Sequence, residues 1–478
     1  MAASSEHPVR REVGELLRLA LPIAAAQAGQ TSMGLVDVAV VGTLGARPLG
    51  AIGLATSTFF FVAVLGLGTV MGLDPLVSQA LGAGDRPRAR KLLWQGVWLA
   101  LAASVVLNVF LFGAPALLHA MKVPAETGAL TLTCLRIRML SMPALLVFAA
   151  VRAYLQAHGV TRPMVVSTIA CNILNLGLDL LLVLGGDHMP AWAGPLRHVP
   201  AMGAAGAAVA TTIGTLLQLA IVAYAAGDLE REPMPQGARR PVTADLRRAL
   251  RVGLPIGMQM AAEVGVFALV TLLAARLGDA SLAAHNLALN LASFSFSIAI
   301  GVGNAGSVRV GRAVGHGDQH AVRLSGLVSF GCGAVVMATG AVTFLLAPHW
   351  LPRIYGEHPD VLAVAVPLLF VAGFFQLSDG VQGVGAGVLR GAGDTVFPFV
   401  ANVVGHYGVG FPVAFTLGIR MGHGITGLWW GLACGLTAVA LSLFSRFLWI
   451  SSRPIKPLEE RTPPSTTTPY TGPTTEAA

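Results

Sequence analysis

Twelve long apolar stretches alternate with short polar ones, centred on residues 14–43, 50–76, 92–117, 130–153, 162–185, 202–226, 247–276, 282–307, 323–350, 361–388, 396–419 and 424–449. A helix needs roughly 20 mostly apolar residues to cross a bilayer core, so the pattern predicts an all-α polytopic membrane protein with twelve transmembrane helices. The first stretch has no small-residue cleavage site after a short apolar core and reads as a span rather than a leader. The few polar residues inside these stretches keep to faces. Gln27, Gln30, Thr31, Gly34 and Asp37 fall at i, i+3, i+4, i+7 and i+10, the spacing of one helical face. Asn172, Asn175 and Asp179 repeat the pattern in the fifth stretch.

The twelve stretches are two copies of six, because residues 19–90 recur at 252–323 with a constant offset of 233. Leu21-Pro22-Ile23 returns as Leu254-Pro255-Ile256, Leu44-Gly45 as Leu277-Gly278, and Gly82-x-Gly84-Asp85 as Gly315-x-Gly317-Asp318. A membrane chain built from two copies of one bundle is the plan of many secondary transporters, with the site between the copies. Six helices per copy is an even number, so both copies enter from the same side and the repeat is parallel. The expected units are an N-lobe at 1–226, a cytoplasmic linker at 227–245, a C-lobe at 246–450 and a disordered cytoplasmic tail at 451–478 that is rich in Pro and Thr.

Composition agrees, with 54% hydrophobic and only 11% charged residues against about a quarter charged in soluble domains. With the N-terminus in the cytoplasm, the cytoplasmic segments hold 23 Lys and Arg, Arg152, Arg309 and Arg390 among them, and the outer loops hold 6. That asymmetry is a positive-inside signal placing both termini in the cytoplasm. It also accounts for the net charge of +8 without a nucleic acid partner. A usage of 28 Arg against 3 Lys points to a GC-rich bacterium, and so to its inner membrane. The four cysteines lie inside spans without paired spacing and read as packing residues.

Ionisable groups inside spans are costly and mark function. Asp37, Asp179, Glu263 and Asp379 have no evident Lys or Arg partner in the membrane core. Carboxylates, amides and a hydroxyl such as Thr211 or Thr212 make hard-oxygen chemistry, suited to a proton or a small alkali cation and not to zinc or copper. In the second copy Gln259 and Glu263 lie one turn apart, and Gln376, Asp379 and Gln382 share a face. For the amides and hydroxyls alone, helix–helix hydrogen bonding is the competing explanation. Arg136 and Arg138 are expected as anchors near the outer end of span 4. His285 and His406 could relay protons or be satisfied structural groups. The two Gly-x-Gly-Asp runs lack a preceding strand and a Lys-Ser/Thr, so they read as turns and not as phosphate loops. Pro22 and Pro255 sit within the first helix of each copy, where they permit kinks and gating.

These residues resemble the MATE (multidrug and toxic compound extrusion) family of cation-coupled exporters. The stretch LALPIAAAQAGQTSMGLVDVAVVGTLG at 19–45 resembles the family's first helix, and PLVSQALGAGD at 75–85 its first cytoplasmic loop. LPIGMQMAAEVGVFALVTLLAARLG at 254–278 is similar to the seventh helix and FQLSDGVQGVGAGVLRGAGDT at 375–395 to the tenth. The resemblance runs from about residue 14 to about 449. It implies two pseudo-symmetric six-helix lobes forming a V around a cavity that opens alternately to either side. By position, Asp37, Asn175, Asp179 and Thr211 match the N-lobe cation or proton cluster, with Gln30 and Asn172 beside it. Glu263 and Asp379 match the C-lobe acidic pair of the NorM-like branch, with Gln259 and Gln376 as supporting cavity groups. Some NorM-like members place a Tyr one turn before the C-lobe Asp, whereas this chain has Phe375, which cannot coordinate a cation. LRIRMLSMPALL at 135–146 looks more like the DinF-like branch.

The resemblance implies an antiporter that exports amphipathic, mostly cationic organic compounds in exchange for H+ or Na+, with H+ favoured because two close carboxylates need only a proton to become neutral. It is expected to act as a monomer in the lipid bilayer, without a cofactor and without enzymatic activity, since no nucleophile–base or metal constellation is present. The alternative is a lipid-linked saccharide flippase of the same superfamily, which would want a basic cavity.

Overall fold

The computed structural model describes residues 8–188, 191–229, 237–355 and 359–460, and among them there is no strand. The chain forms α1 (Pro8–Gly42), α2 (Ala46–Val70), α3 (Leu73–Gly82), α4 (Arg86–Leu111), α5 (Ala114–Ala120), α6 (Ala125–Met139), α7 (Met142–Ala157), α8 (Arg162–Leu184) and α9 (Ala204–Leu229). The second copy forms α10 (Thr243–Arg276), α11 (Asp279–His316), α12 (Gln319–Leu346), α13 (Pro359–Gly391), α14 (Val396–Val403), α15 (Phe411–Phe415) and α16 (Gly424–Ile450). Pairs α2–α3, α4–α5 and α6–α7 are single rods with short breaks, and α14–α15 is one rod widened by π-turns at 404–410 and 416–420. Among the described residues twelve rods result, matching the twelve apolar stretches.

Ten of these rods are long and apolar enough to span a membrane, and the pair α6–α7, bent by 42°, makes an eleventh. The remaining rod is α1, whose apolar run is interrupted by Gln27, Gln30 and Asp37. Of these three polar residues Asp37 is buried by neighbouring helices, while Gln27 and Gln30 are partly exposed.

The recurrent sequence motifs are turns. Gly45 and Gly278 take φ of 103° and 107° ahead of α2 and α11, a conformation that favours glycine. Gly84 and Gly317 take φ of 78° and 74°. The following Asp85 and Asp318 then cap α4 and α12, each accepting a backbone N–H at 2.9 Å. Pro22 and Pro255 lie inside α1 and α10, which run unbroken through them.

The halves meet through small residues. A Cβ on Gly68 would lie 2.4 Å from Gly257 Cα, one on Gly72 would lie 2.6 Å from Gly253 Cα, and one on Gly301 would lie 2.7 Å from Ala24 Cβ. Such glycines let membrane helices approach backbone to backbone. Polar bridges extend the seam toward the chain termini. Glu12 on α1 accepts from Arg309 Nε at 2.9 Å and Ser325 Oγ at 2.6 Å, Arg312 Nε donates to Ala157 O at 2.9 Å, and Gln79 Nε2 donates to Gly391 O at 3.0 Å.

Three expectations change. The linker is shorter than 227–245, since α9 continues to Leu229 and α10 begins at Thr243. Its second part docks on α4, where Gln95 Nε2 donates to Arg240 O at 2.8 Å and Trp98 Nε1 to Arg239 O at 2.8 Å; residues 230–236 lie outside the described ones. The tail is not disordered from 451. Residues 451–460 strap both halves together: Leu458 N donates to Gln79 Oε1 at 2.8 Å, Ile455 N to Gln319 Oε1 at 3.2 Å, and Glu459 pairs with Arg88. The tail from 461 lies outside the described residues. Finally, Arg152, Arg309 and Arg390 are not loop charges but occupy the seam, with Arg390 only 9% exposed.

Candidate functional site

The first half closes around a carboxyl pair. Asp37 on α1 is buried against α8 and α9, and Thr211 Oγ1 donates to its Oδ2 at 2.8 Å. Thr212 turns the other way, toward Ile137 O on α6 at 3.4 Å, so Thr211 is the hydroxyl of this cluster. Asn175 and Asp179 stand one turn apart on α8 and are both fully buried. Asp37 and Asp179 are close enough to act on each other electrostatically. Five polar atoms of the cluster have no partner: Asp37 Oδ1, both carboxyl oxygens of Asp179, and both amide atoms of Asn175. Buried polar atoms are seldom left so, and this acceptor-rich set fits a proton shared between carboxyls or a small hard cation.

Asn172 does not belong to it. Its Nδ2 donates to Gly29 O at 3.1 Å and Thr168 O at 2.8 Å, which ties α8 to α1. Gln30 is half-exposed and does not line the cavity between the halves, whereas Gln27 does. The polar face read along α1 is thus divided: ten residues of helix turn Gln27 toward the second half and Asp37 into the first.

Between the halves lies a cavity of about 480 Å³. Its walls are Phe60, Met260, Phe267, Phe296 and Phe375, and its polar groups include Gln27, Gln259, Glu263, Asp379 and Gln382. Glu263 accepts from Gln382 Nε2 at 3.2 Å and from Asn402 Nδ2 at 3.4 Å. Asp379 on α13 is 5% exposed and lies within electrostatic reach of Glu263 on α10. Gln376 is not a cavity residue; it turns toward Gly340 and Ser295, and both its amide atoms lack partners. Phe375 is part of the apolar wall, edge-on to Trp429 at 5.4 Å and Phe267 at 6.2 Å.

Arg138 is not an outer anchor. It sits at the break between α6 and α7, with its guanidinium 4.7 Å from the Phe59 ring centre and within electrostatic reach of Asp37. The N-lobe carboxyl pair therefore has a cation near it that span position alone concealed. His285 is a satisfied structural group, with Thr271 Oγ1 2.9 Å from Nε2 and Trp429 Nε1 donating to Nδ1 at 3.0 Å. His406 is fully buried with both ring nitrogens unpartnered, on the π-turn that follows Asn402. Asn402 was missed in sequence; its one signal was an amide inside the apolar eleventh stretch. Among the described residues no three His, Cys, Asp or Glu side chains gather as a metal site.

Two helical lobes around an acidic, aromatic cavity, with a second buried carboxyl pair inside one lobe, define a multi-pass membrane transporter of the two-lobed kind. The MatE family model matches residues 22–181 and 255–416, one match per lobe, and the chain belongs to that family. It is 34% identical over 443 residues to the probable multidrug resistance protein NorM of Rhizobium meliloti, covering 91% of this chain and 93% of that one. It is 30% identical over 457 residues to the multidrug resistance protein NorM of Aliivibrio fischeri, covering 94% and 97%. Among solved structures, a eukaryotic MATE transporter superposes with a TM-score of 0.82 at 18% identity, covering 95% of this chain and 99% of that one. A mutant of the Vibrio cholerae MATE transporter VcmN gives 0.83 at 17%, covering 94% and 99%.

Proposed function

We propose that this protein is an antiporter of the bacterial inner membrane, with both termini cytoplasmic, that exports amphipathic, mostly cationic organic compounds in exchange for protons. The nearness of the buried Asp37 and Asp179 carboxyls, with three of their four oxygens unpartnered, carries this reading. Two ionised carboxylates in contact repel, and one proton between them turns the repulsion into a hydrogen bond. Thr211 holds Asp37, and the carboxyl oxygens left without a partner, Asp37 Oδ1 and both of Asp179, are free to share such a proton. A sodium cage would draw on the same oxygens, but Phe375 removes a ligand from the other lobe and the carboxyl pair needs only a proton to become neutral.

Cargo binds in the interlobe cavity, where aromatic walls accept flat apolar bodies and Glu263 with Asp379 attracts positive charge. Cargo and proton prefer different states of the two lobes, which produces exchange. An inward charge moving through about 100 mV gains about 2.3 kcal/mol, enough to bias the cycle. Glu263 and Asp379 outnumber Arg390 in the cavity lining, which disfavours the polyanionic pyrophosphate of a lipid-linked saccharide. The protein works as a monomer, each chain carrying a complete cavity.

Everted vesicles test the ion. Export of a cationic dye should proceed with ΔpH imposed and sodium absent, and dependence on added Na+ at zero ΔpH would replace H+ with Na+ in this reading.

A further inference from the structure

The floor of the interlobe cavity carries a charge imbalance that proton-coupled export does not use. Arg390 on α13 lines the cavity, and its Nη1 lies 3.3 Å from Asp74 Oδ2 on α3 and 3.4 Å from Asn304 Oδ1 on α11. Arg152 on α7 acts on the same Asp74, and its Nε is buried and donates to nothing. One carboxylate therefore faces two guanidinium groups, both from the interior of the seam. A buried cation without its counter-charge is strongly disfavoured.

One turn along α3 and α11 from Asp74 and Asn304 stand neutral donors without acceptors. Ser78 stands one turn beyond Asp74 on α3 and is fully buried, and Ser307 stands one turn beyond Asn304 on α11 at 1% exposure. Neither hydroxyl has a partner, nor does Asn304 Nδ2. Serines elsewhere in the bundle return their hydroxyl to their own helix, as Ser167 on α8, Ser297 on α11 and Ser329 on α12 do at 2.7–2.9 Å. Ser78 and Ser307 do not. Gly311 brings α3 and α11 together here, since a Cβ on it would lie 2.7 Å from Ser78 Cβ.

We propose that this seam binds one monovalent anion, a halide or the carboxylate arm of a cargo molecule, between Arg152 and Arg390, with Ser78, Ser307 and Asn304 Nδ2 as neutral donors. The excess of one positive charge sets the valence. The acidic pair on the cavity wall and the closely packed helices exclude bulky polyanions. A cargo carboxylate reaches the seam from the cavity, because Asn304 and Arg390 belong to both. The ligands come from both lobes, so the anion is held only while the lobes are closed at this end, and it stabilises that state.

The test uses purified full-length protein in nanodiscs, with sodium chloride exchanged for sodium isethionate at constant ionic strength. The thermal midpoint should rise saturably with chloride. Ser307→Ala should raise the half-saturating chloride concentration about tenfold, and Arg152→Gln, which removes the surplus charge and leaves the Asp74–Arg390 pair, should abolish the rise. A second arm measures binding of a carboxylate-bearing cationic dye and of its methyl ester by fluorescence polarisation. If the cargo carboxylate also uses the seam, chloride weakens binding of the acid and not of the ester; if a halide alone does, neither binding changes while the midpoint rise remains. Both results support the site. Equal midpoints in the two salts with no competition, or a rise left unchanged by Ser307→Ala, would overturn it. These readouts need no transport, so they stand apart from any failure of the antiport reading.

Discussion

Asp37 is held by one donor, the Thr211 hydroxyl at 2.8 Å, while its other oxygen is unpartnered beside Asp179. Asn at this position keeps the shape and the Thr211 bond but cannot take or release a proton. Asp37→Asn should therefore abolish coupled export in cells at normal expression, with insertion and thermal midpoint close to wild type; full drug resistance in that variant would refute the role. Glu263 is different in kind. It lines the cargo cavity and accepts from Gln382 and Asn402. Glu263→Gln should weaken export of a cationic dye about tenfold, about 1.4 kcal/mol, while a neutral antibiotic loses much less. Equal losses for both compounds would argue against charge selection. Histidines show how far residue type misleads at this scale: two buried imidazoles read alike in sequence, yet His285 is bonded at both nitrogens and His406 at neither.

At the scale of elements, glycine spacing matters more than hydrophobicity. Helix α10 runs against α2 with no room for side chains at two of its turns: a Cβ on Gly253 would lie 1.8 Å from Thr69 O, and one on Gly257 would lie 2.3 Å from Leu65 O. Thr69 and Leu65 are one turn apart on α2, so the two helices meet backbone to backbone over that turn. Gly253→Ala must push them apart, and overpacking of this kind costs about 1–3 kcal/mol. It should lower the thermal midpoint and reduce export in parallel. Gly34→Ala is the control, because nothing lies within 4 Å of a Cβ there and alanine favours helix; equal midpoints for the two variants would remove the close-packing argument. The repeat also breaks at this scale. The first copy divides its second rod at Met71–Gly72, where Gly72 packs on Gly253, while the second copy keeps α11 whole through the matching Asn304–Ala305.

Across the whole molecule, the same chain that is divided into two lobes is stitched together at one end. The strap at 451–460 leaves α16 and reaches Gln79 and Arg88 of the other half, and Asp245 at the start of α10 pairs with Arg88 on α4 at 2.6 Å. Alternating access has to work with these ties, which lie at the end of the seam where α1 begins and α16 ends. The sequence by itself determined the number and type of rods, the twofold repeat and the turns between rods, because apolar length, glycine at positive φ and the Asp caps are local properties. It also picked out Asp37, Asp179, Glu263 and Asp379, since carboxyl groups in apolar helices are costly wherever they sit. Only the tertiary structure decided which polar groups meet. It put Thr211 rather than Thr212 on Asp37, made Asn172 a tie between helices, removed Gln30 and Gln376 from the cavity, added Asn402 to Glu263, and carried Arg138, Arg152 and Arg390 into the interior. A helix of known period still has an unknown rotation about its axis, and that rotation is set by packing against rods hundreds of residues away.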